Sequence, residues 1–251
     1  MKPRLLAAPP EIYQVARRRL PASLCKSSLR TYFDWEDRGD DDYAARPVIL
    51  DLFCGGGGSA VGYFDAGFRV IGVDNRPQPR YPFTFIQADA LEYVAAHGTE
   101  FDAIHASPPC QAYSEATPIG YRKNHPDLII PTQVLLAATS NPYAIENVAG
   151  ARALLTNPVM LCGSMFGLCL QRHRYFEIWP DILRLTPSCN HAEYPILITG
   201  TTRRKSGRFE YSISECRMAS GIDWMTRKEI DQAIPPVYTE FVGRQLMNAL
   251  K

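Results

Sequence analysis

Apolar runs alternate with helix-like segments over residues 47 to 179, and the runs end in polar or glycine-rich stretches. Seven runs are short and apolar enough to be strands: 47–53, 68–73, 83–88, 101–106, 143–145, 159–162 and 175–179. Segments between them predict helices at 61–66, 91–97 and 128–139. The alternation of strand and helix predicts an α/β domain.

A glycine-rich loop follows the first strand directly. Its glycines have the spacing Gly55-x-Gly57-x-x-Ala60, which lets backbone N–H groups approach a nucleotide closely. The second strand ends at Asp74, 23 residues after Asp51. An acid at this place either hydrogen-bonds ribose hydroxyls or only caps a loop. The pattern predicts a site for a nucleotide-like cofactor.

A rigid turn follows the fourth strand. Pro108 and Pro109 fix φ and cannot continue a sheet, so Cys110 is expected to project at the carboxyl edge of the sheet. Glu146 follows a later strand and is expected at the same edge. Cys110 is therefore either a nucleophile or simply a small buried side chain.

Composition narrows the class of protein. Of the 251 residues, 46% are hydrophobic and 21% charged, as in ordinary globular proteins. No apolar run reaches the roughly 18 residues of a membrane span, and the start lacks the apolar stretch of a secretory signal. We therefore expect a cytoplasmic protein without a membrane partner. A net charge of +1 gives no global signal for nucleic acid, so any basic footprint has to be local.

The seven cysteines are odd in number and scattered, which predicts reduced thiols. Cys162, Cys169, Cys189 and His191 can in principle surround zinc. No pair of them has the short Cys-x₂₋₄-Cys spacing, so we expect no metal site.

Four stretches together resemble the DNA (cytosine-5) methyltransferases in composition, order and spacing. They are Asp-Leu-Phe-Cys-Gly-Gly-Gly-Gly at 51–58, Pro-Pro-Cys-Gln at 108–111, Glu-Asn-Val at 146–148 and Arg172-x-Arg174. The resemblance covers residues 47–179 and, more loosely, 213–248.

The resemblance implies a Rossmann-like fold, with a doubly wound, mostly parallel sheet of seven strands. It implies S-adenosylmethionine as methyl donor, with S-adenosylhomocysteine as product, and double-stranded DNA as partner of a monomer. The small size of the chain suggests a phage or restriction–modification type.

The same resemblance implies the chemistry. The Cys110 thiolate would add to carbon 6 of a flipped-out cytosine, so that carbon 5 can accept a methyl group. Glu146 would stabilise the charge that develops on the ring. Arg172 and Arg174 would hold the base and favour the ionised thiol.

Further residues are implied at the two ligands. The cofactor set is Asp51, Phe53, Cys54, Gly55, Gly56, Gly57, Asp74, Asn75, Asp89, Ala90, Pro109, Gln232 and Ala233. The substrate set is Ser107, Gln111, Asn147, Arg203, Arg204 and Lys205. Gln232 stands where the family normally has Gly-Asn, so its amide would have to take over that role.

We divide the chain into an N-terminal arm (1–46), a catalytic and cofactor-binding domain (47–179), a target-recognition region (180–213) and a returning segment (214–251). The recognition region is short for a separate domain, which predicts a brief or degenerate target. Two other functions share these motifs or this fold: a transfer-RNA or other RNA cytosine-5 methyltransferase, and an inactive DNA-binding regulatory homologue.

Overall fold

The computed structural model describes residues 43–115, 117–181, 186, 188–191, 198 and 211–251. Most of the predicted N-terminal arm lies outside these residues, as do Arg203, Arg204 and Lys205. Within them, no helix is both long and apolar enough to cross a bilayer.

Seven strands form one sheet, with the order β3-β2-β1-β4-β5-β7-β6. Their bounds are β1 Val48–Leu52, β2 Arg69–Asp74, β3 Thr84–Gln87, β4 Ala103–Ala106, β5 Tyr143–Asn147, β6 Val159–Leu161 and β7 Arg174–Trp179. The first five strands pair in parallel, and β7 is antiparallel to both of its neighbours. The prediction of a mostly parallel sheet of seven strands is confirmed.

Helices cover both faces of the sheet. They are α1 Gly58–Asp65, α2 Ala90–His97, α3 Ile119–Arg122, α4 Ile129–Thr139, α5 Ile213–Ser220, α6 Arg227–Gln232 and α7 Pro236–Ala249. Successive β1 residues point into opposite layers, as strand geometry requires. Ile49 packs with Tyr63 and Val242 of α1 and α7, whereas Leu50 packs with Leu136 of α4.

Most elements differ from their predicted bounds by one or two residues at an end, and two differences have a clear backbone cause. Strand β5 continues past residue 145 to Asn147, because antiparallel β7 pairs Glu146 with Phe176 and Asn147 with Tyr175. Helix α1 begins at Gly58 and not at residue 61, immediately after Gly57 in the left-handed conformation. Both differences depend on backbone geometry that an apolar pattern does not encode.

The end of the chain returns to the beginning of the domain. Helix α7 packs along α1, and the Thr239 hydroxyl donates a hydrogen bond to the Ser59 carbonyl (2.8 Å). Earlier in the returning segment, the Trp224 indole N–H donates to the Gly56 carbonyl (2.9 Å). The C-terminal segment thus supports the glycine-rich loop.

Candidate active site

The predicted chemical groups meet at one edge of the sheet. Parallel strands β1, β2, β4 and β5 end there, and they carry the glycine loop, Asp74, Cys110 and Glu146. Because β7 runs the opposite way to β5, its first residue, Arg174, lies at the same edge. The fold therefore brings a nucleotide-type loop and a thiol–carboxyl–guanidinium group to the place where open α/β sheets bind ligands.

The glycine loop has the backbone geometry that its sequence predicts. Gly55 and Gly57 have φ values of 50° and 83°, which side chains rarely adopt. A Cβ at Gly57 would lie 2.5 Å from the Pro82 ring. The Gly55 N–H donates to the Asp74 carboxylate (3.1 Å), and this contact joins the loop to β2.

An open surface lies over Gly55. A Cβ built there meets no described atom within 4 Å. At Gly58, in contrast, a Cβ would lie 2.5 Å from the Ile234 carbonyl and 3.4 Å from the Ala233 side chain. The structure thus brings Ala233 and Ile234 beside the loop, and the neighbouring Gln232 ends helix α6.

The other predicted cofactor residues lie around this loop with different exposures. Asp74, Phe53, Gly56 and Pro109 are partly exposed, and Asn75 is exposed. Cys54 and Ala90 are buried, so a ligand can meet little more than their backbone. Asp89 is exposed, and its Oδ1 caps helix α2 by accepting from the N–H groups of Leu91 and Glu92. The second Asp89 oxygen takes no part in this cap.

Asp51 lies beneath the loop. It has no exposed surface, and its carboxylate accepts hydrogen bonds from the hydroxyls of Ser59 and Tyr81 (3.1 Å each). We expected a direct cofactor contact, but the burial leaves no surface for one. Asp51 therefore supports the loop from below. Burial raises the pKa of its carboxyl to about 7.

A buried polar chain leads from this region to Glu146. His105 contacts the Tyr63 hydroxyl through Nδ1 and the Ser107 hydroxyl through Nε2 (2.8 Å each). Ser107 in turn hydrogen-bonds Glu146. Burial lowers the pKa of His105 to about 3, so its imidazole is neutral. One feature of the sequence indicates this hydrogen-bonded network: His105 is the polar residue within a buried strand.

Asp51 and His105 should affect the pH dependence of stability in opposite directions. The unfolded pKa values are about 4 for Asp51 and about 6.5 for His105. On folding between these pH values, Asp51 takes up a proton because its pKa is raised, whereas His105 releases one. The stabilisation from the neutral Asp51 is lost as pH rises towards 7, and that from the neutral His105 is lost as pH falls towards 3.

Each single substitution should therefore expose the effect of the other group. In Asp51→Asn, the free energy of unfolding should rise with pH between about 4.5 and 6.5, with a slope approaching 1.4 kcal/mol per pH unit. In His105→Gln it should fall with a similar slope. Urea unfolding across this range measures both slopes against wild type. Identical slopes in all three proteins would contradict the assignment.

Cys110 begins the turn after β4. Its carbonyl accepts hydrogen bonds from the N–H groups of Tyr113 (3.0 Å) and Ser114 (2.8 Å). Burial raises the pKa of the thiol, and the nearby Glu146 raises it further, whereas Arg174 and Arg172 lower it. Cys110 as a residue is only partly buried. The two arginines supply the positive charge that favours a thiolate.

Glu146 lies at the bottom of the site and is 6% exposed. Burial raises the pKa of its carboxyl, against the charges of Arg174 and Arg172. Arg174 Nε approaches Glu146 Oε1 to 2.8 Å. This ion pair lacks hydrogen-bond alignment, and no described residue hydrogen-bonds that buried oxygen. A buried carboxyl oxygen that lacks a hydrogen-bond donor is expected to receive one from a ligand.

Arg172 is more deeply fixed than the sequence suggests. It is 6% exposed, and its two terminal nitrogens donate to the carbonyls of Ile198 and Asp231 (2.8 Å each). Burial lowers its pKa to about 9. Its Nε is also buried, and no described residue hydrogen-bonds it. Arg172 thus ties the recognition region and the returning segment to the site.

The predicted substrate residues differ in their exposure to the site. Ser107 and Gln111 lie beside Cys110 and are partly exposed. Asn147 is fully buried, and its amide donates to the Pro108 carbonyl (3.0 Å). It therefore holds the turn that carries Cys110 and has no surface for a substrate. Arg203, Arg204 and Lys205 lie outside the described residues.

Several solved structures are similar to the chain. A putative DNA modification methyltransferase encoded within an E. coli prophage shares 17% identity and a TM-score of 0.55, over 81% of this chain and 99% of that one. Entamoeba histolytica methyltransferase EhMeth shares 13% identity and a TM-score of 0.58, over 82% and 99%. For S. pombe Dnmt2 methyltransferase the values are 13%, 0.55, 82% and 99%.

At these identities the likeness establishes the fold. No protein-family model and no curated protein matches the chain. The predicted Rossmann-like methyltransferase fold is confirmed, and the similar structures are methyltransferases, the kind of protein that the motifs resemble.

Proposed function

We propose that the protein is a DNA (cytosine-5) methyltransferase that uses S-adenosylmethionine. One observation carries this proposal: the partly exposed Cys110 thiol, the buried Glu146 carboxyl and the Arg174 guanidinium lie together beside an open glycine loop. Cytosine carbon 5 is a poor nucleophile and needs a thiolate on carbon 6 before it reacts. A thiol near positive charge and a carboxyl with a raised pKa supply what that reaction requires.

The reaction begins with ionisation of Cys110, whose proton passes to solvent. The thiolate forms a bond to carbon 6, and the electron pair of the ring double bond moves so that carbon 5 becomes nucleophilic. Glu146 stabilises the charge at ring nitrogen 3, because burial favours its protonated form, which can donate a hydrogen bond. Carbon 5 would then take the methyl group, and S-adenosylhomocysteine would leave with the electron pair of the broken S–C bond. The carbon 5 proton would pass to water, and the electron pair of its bond would restore the ring double bond as the thiolate leaves carbon 6.

The residues at the loop fit the cofactor. S-adenosylmethionine supplies an electrophilic methyl group on a sulfonium. Gly55 leaves room for close approach. Asp74 ends β2 and contacts the loop through the Gly55 N–H, and we propose that its carboxylate also accepts hydrogen bonds from the ribose hydroxyls. The second carboxylate oxygen of Asp89 can accept a hydrogen bond from the adenine amine. Ala233 flanks the loop on the side of the returning segment, and we propose that the Gln232 amide next to it also contacts the cofactor.

The target base has to leave the duplex to reach Cys110. The segment after Cys110 carries the short helix α3, where Ile119 and Tyr121 are 82% and 65% exposed. Exposed apolar side chains on a segment next to a site are suited to cover a flipped base. We propose that region 180–213, with Arg203, Arg204 and Lys205, reads the target through phosphate and base-edge contacts, and that the protein acts as a monomer.

The function is tested by incubating the full chain with labelled S-adenosylmethionine and either duplex DNA or transfer RNA. We expect label in DNA only, and bisulfite sequencing of the product then gives the modified cytosine and its context. Label confined to transfer RNA would replace the substrate and keep the chemistry. No label in either polymer, with cofactor bound, would contradict the proposal.

Gly55→Ala should greatly weaken cofactor binding without unfolding the protein. The added methyl group meets no described protein atom within 4 Å, but it enters the space proposed for the cofactor. We expect at least about a tenfold loss of affinity, equal to about 1.4 kcal/mol. Isothermal titration with S-adenosylhomocysteine measures it.

The chain offers a matched control for this substitution. Gly167 has φ of 75° and is exposed, and a methyl group added there would also meet no described atom within 4 Å. Gly167→Ala therefore carries the same left-handed strain away from the loop, and its affinity should equal that of wild type. Equal affinity in both variants would place the cofactor elsewhere.

A further inference from the structure

Four potential metal ligands lie together where β6 ends and β7 begins. Cys162 follows β6, His173 precedes β7, and Cys189 and His191 belong to the segment after β7. Their ligand atoms, two sulfurs and two ring nitrogens, all lie within 4.8 Å of one another. Three separate parts of the chain thus converge on one point.

The distances between the ligand atoms suit a tetrahedral ion. His191 Nε2 lies 2.9 Å from Cys189 Sγ, 3.5 Å from Cys162 Sγ and 3.1 Å from His173 Nε2. Cys189 Sγ lies 3.5 Å from His173 Nε2. With Zn–S of about 2.3 Å and Zn–N of about 2.0 Å, tetrahedral angles place ligand atoms about 3.3 to 3.8 Å apart. Small side-chain shifts that bring the ligand atoms to these separations would complete the tetrahedral geometry.

The donor types select the ion. Two thiols and two imidazoles, without a carboxylate in the group, favour zinc over magnesium or calcium. The Ser164 hydroxyl lies 3.5 Å from both sulfurs, where it can donate a hydrogen bond to a thiolate. Both histidines direct Nε2 to the centre. The alternative to a zinc site is a group of thiols and imidazoles that hydrogen-bond one another without an ion, and the metal content of the protein distinguishes the two.

We propose that Cys162, His173, Cys189 and His191 bind one structural zinc ion. The two thiols lose their protons to solvent as their sulfurs coordinate, and the two neutral imidazoles complete four-fold coordination, with no position left for a substrate. The sequence argues against a metal because it lacks a short Cys-x₂₋₄-Cys pair. The ligands come instead from distant positions, and His173 takes the place considered for Cys169.

The ion would fix the segment that leads from β7 into the proposed recognition region. His173 lies between Arg172 and Arg174, so its coordination also holds the backbone of both arginines next to the active site. Binding of the ion itself does not depend on the proposed function.

The test is the zinc content of the full chain after expression with zinc, purification without chelators and gel filtration. Mass spectrometry of the metal should give one zinc per wild-type chain, and Cys189→Ser and His173→Ala should lose most of it. Cys169→Ser is the matched control, because this cysteine is seven residues from Cys162 and lies outside the group; it should keep the full zinc content.

Cobalt gives a second measurement that does not require activity. Wild-type protein loaded with Co²⁺ should show the visible bands of a tetrahedral ion and a thiolate charge-transfer band, and Cys189→Ser, which should bind little metal, should lose most of both. Wild-type protein without bound zinc or cobalt, a Cys162–Cys189 disulfide in freshly purified protein, or equal zinc loss in Cys169→Ser would each overturn the proposal.

Discussion

Cys110→Ala is expected to abolish methyl transfer while cofactor binding and folding persist. The thiol is the proposed nucleophile that activates the base, and the methyl group of alanine cannot form that bond. We expect the rate to fall by about 10⁴-fold or more, as for other enzymes that lose a covalent nucleophile. Turnover with labelled S-adenosylmethionine and duplex DNA measures the loss.

Covalent trapping tests the same role directly. A duplex containing 5-fluorocytosine should form a stable adduct with wild-type protein, because fluorine cannot leave carbon 5 as a proton does. Cys110→Ala should form none, whereas Cys169→Ala, which removes a thiol outside the site, should be trapped like wild type. An adduct that forms equally with Cys110→Ala would assign the nucleophile to another residue.

Glu146→Gln is expected to slow methyl transfer by about 10²- to 10⁴-fold, the range typical for loss of an acid–base group. The amide keeps the size of the side chain, so the pocket should stay intact, but it cannot exchange a proton with the base. Single-turnover rates at saturating DNA and cofactor measure this effect separately from binding.

Glu177 offers the matched control for Glu146. It is also a buried carboxyl, 4% exposed, on the neighbouring strand, and it accepts a hydrogen bond from the Tyr143 hydroxyl (3.0 Å). Glu177→Gln should reduce stability but leave the single-turnover rate of the folded protein unchanged. If both variants lose the same share of rate, the effect of Glu146→Gln is structural and its proposed chemical role is wrong.

The sequence was sufficient for the sheet and for the position of the chemical groups. Continuous apolar runs identified the strands, and strand ends placed Cys110 and Glu146 at one edge, where the structure has them. The reason is that parallel strands end together, so a residue's place along the chain determines its place at the edge.

Burial of individual polar groups was not predictable in this way. Asp51 and Asn147 belong to motifs that suggest ligand contacts, yet both are fully buried. Their partners, Tyr81 for Asp51 and the Pro108 carbonyl for Asn147, come from loops 30 and 39 residues away. A local pattern contains no information about such contacts. The same holds for the four proposed zinc ligands, whose grouping depends on how β6 and β7 pair.

The contact between α1 and α7 has a consequence for synthesis of the protein. A Cβ at Gly62 would lie 2.0 Å from the Pro236 carbonyl, so the first helix of the sheet domain fits against a partner that is synthesised 174 residues later (236 − 62). Nascent chains can form early strands as they emerge, but this helix pair cannot form until α7 has left the ribosome. A ribosome stalled before residue 236 would therefore display a sheet whose glycine-rich loop and helix α1 are not yet supported by α7.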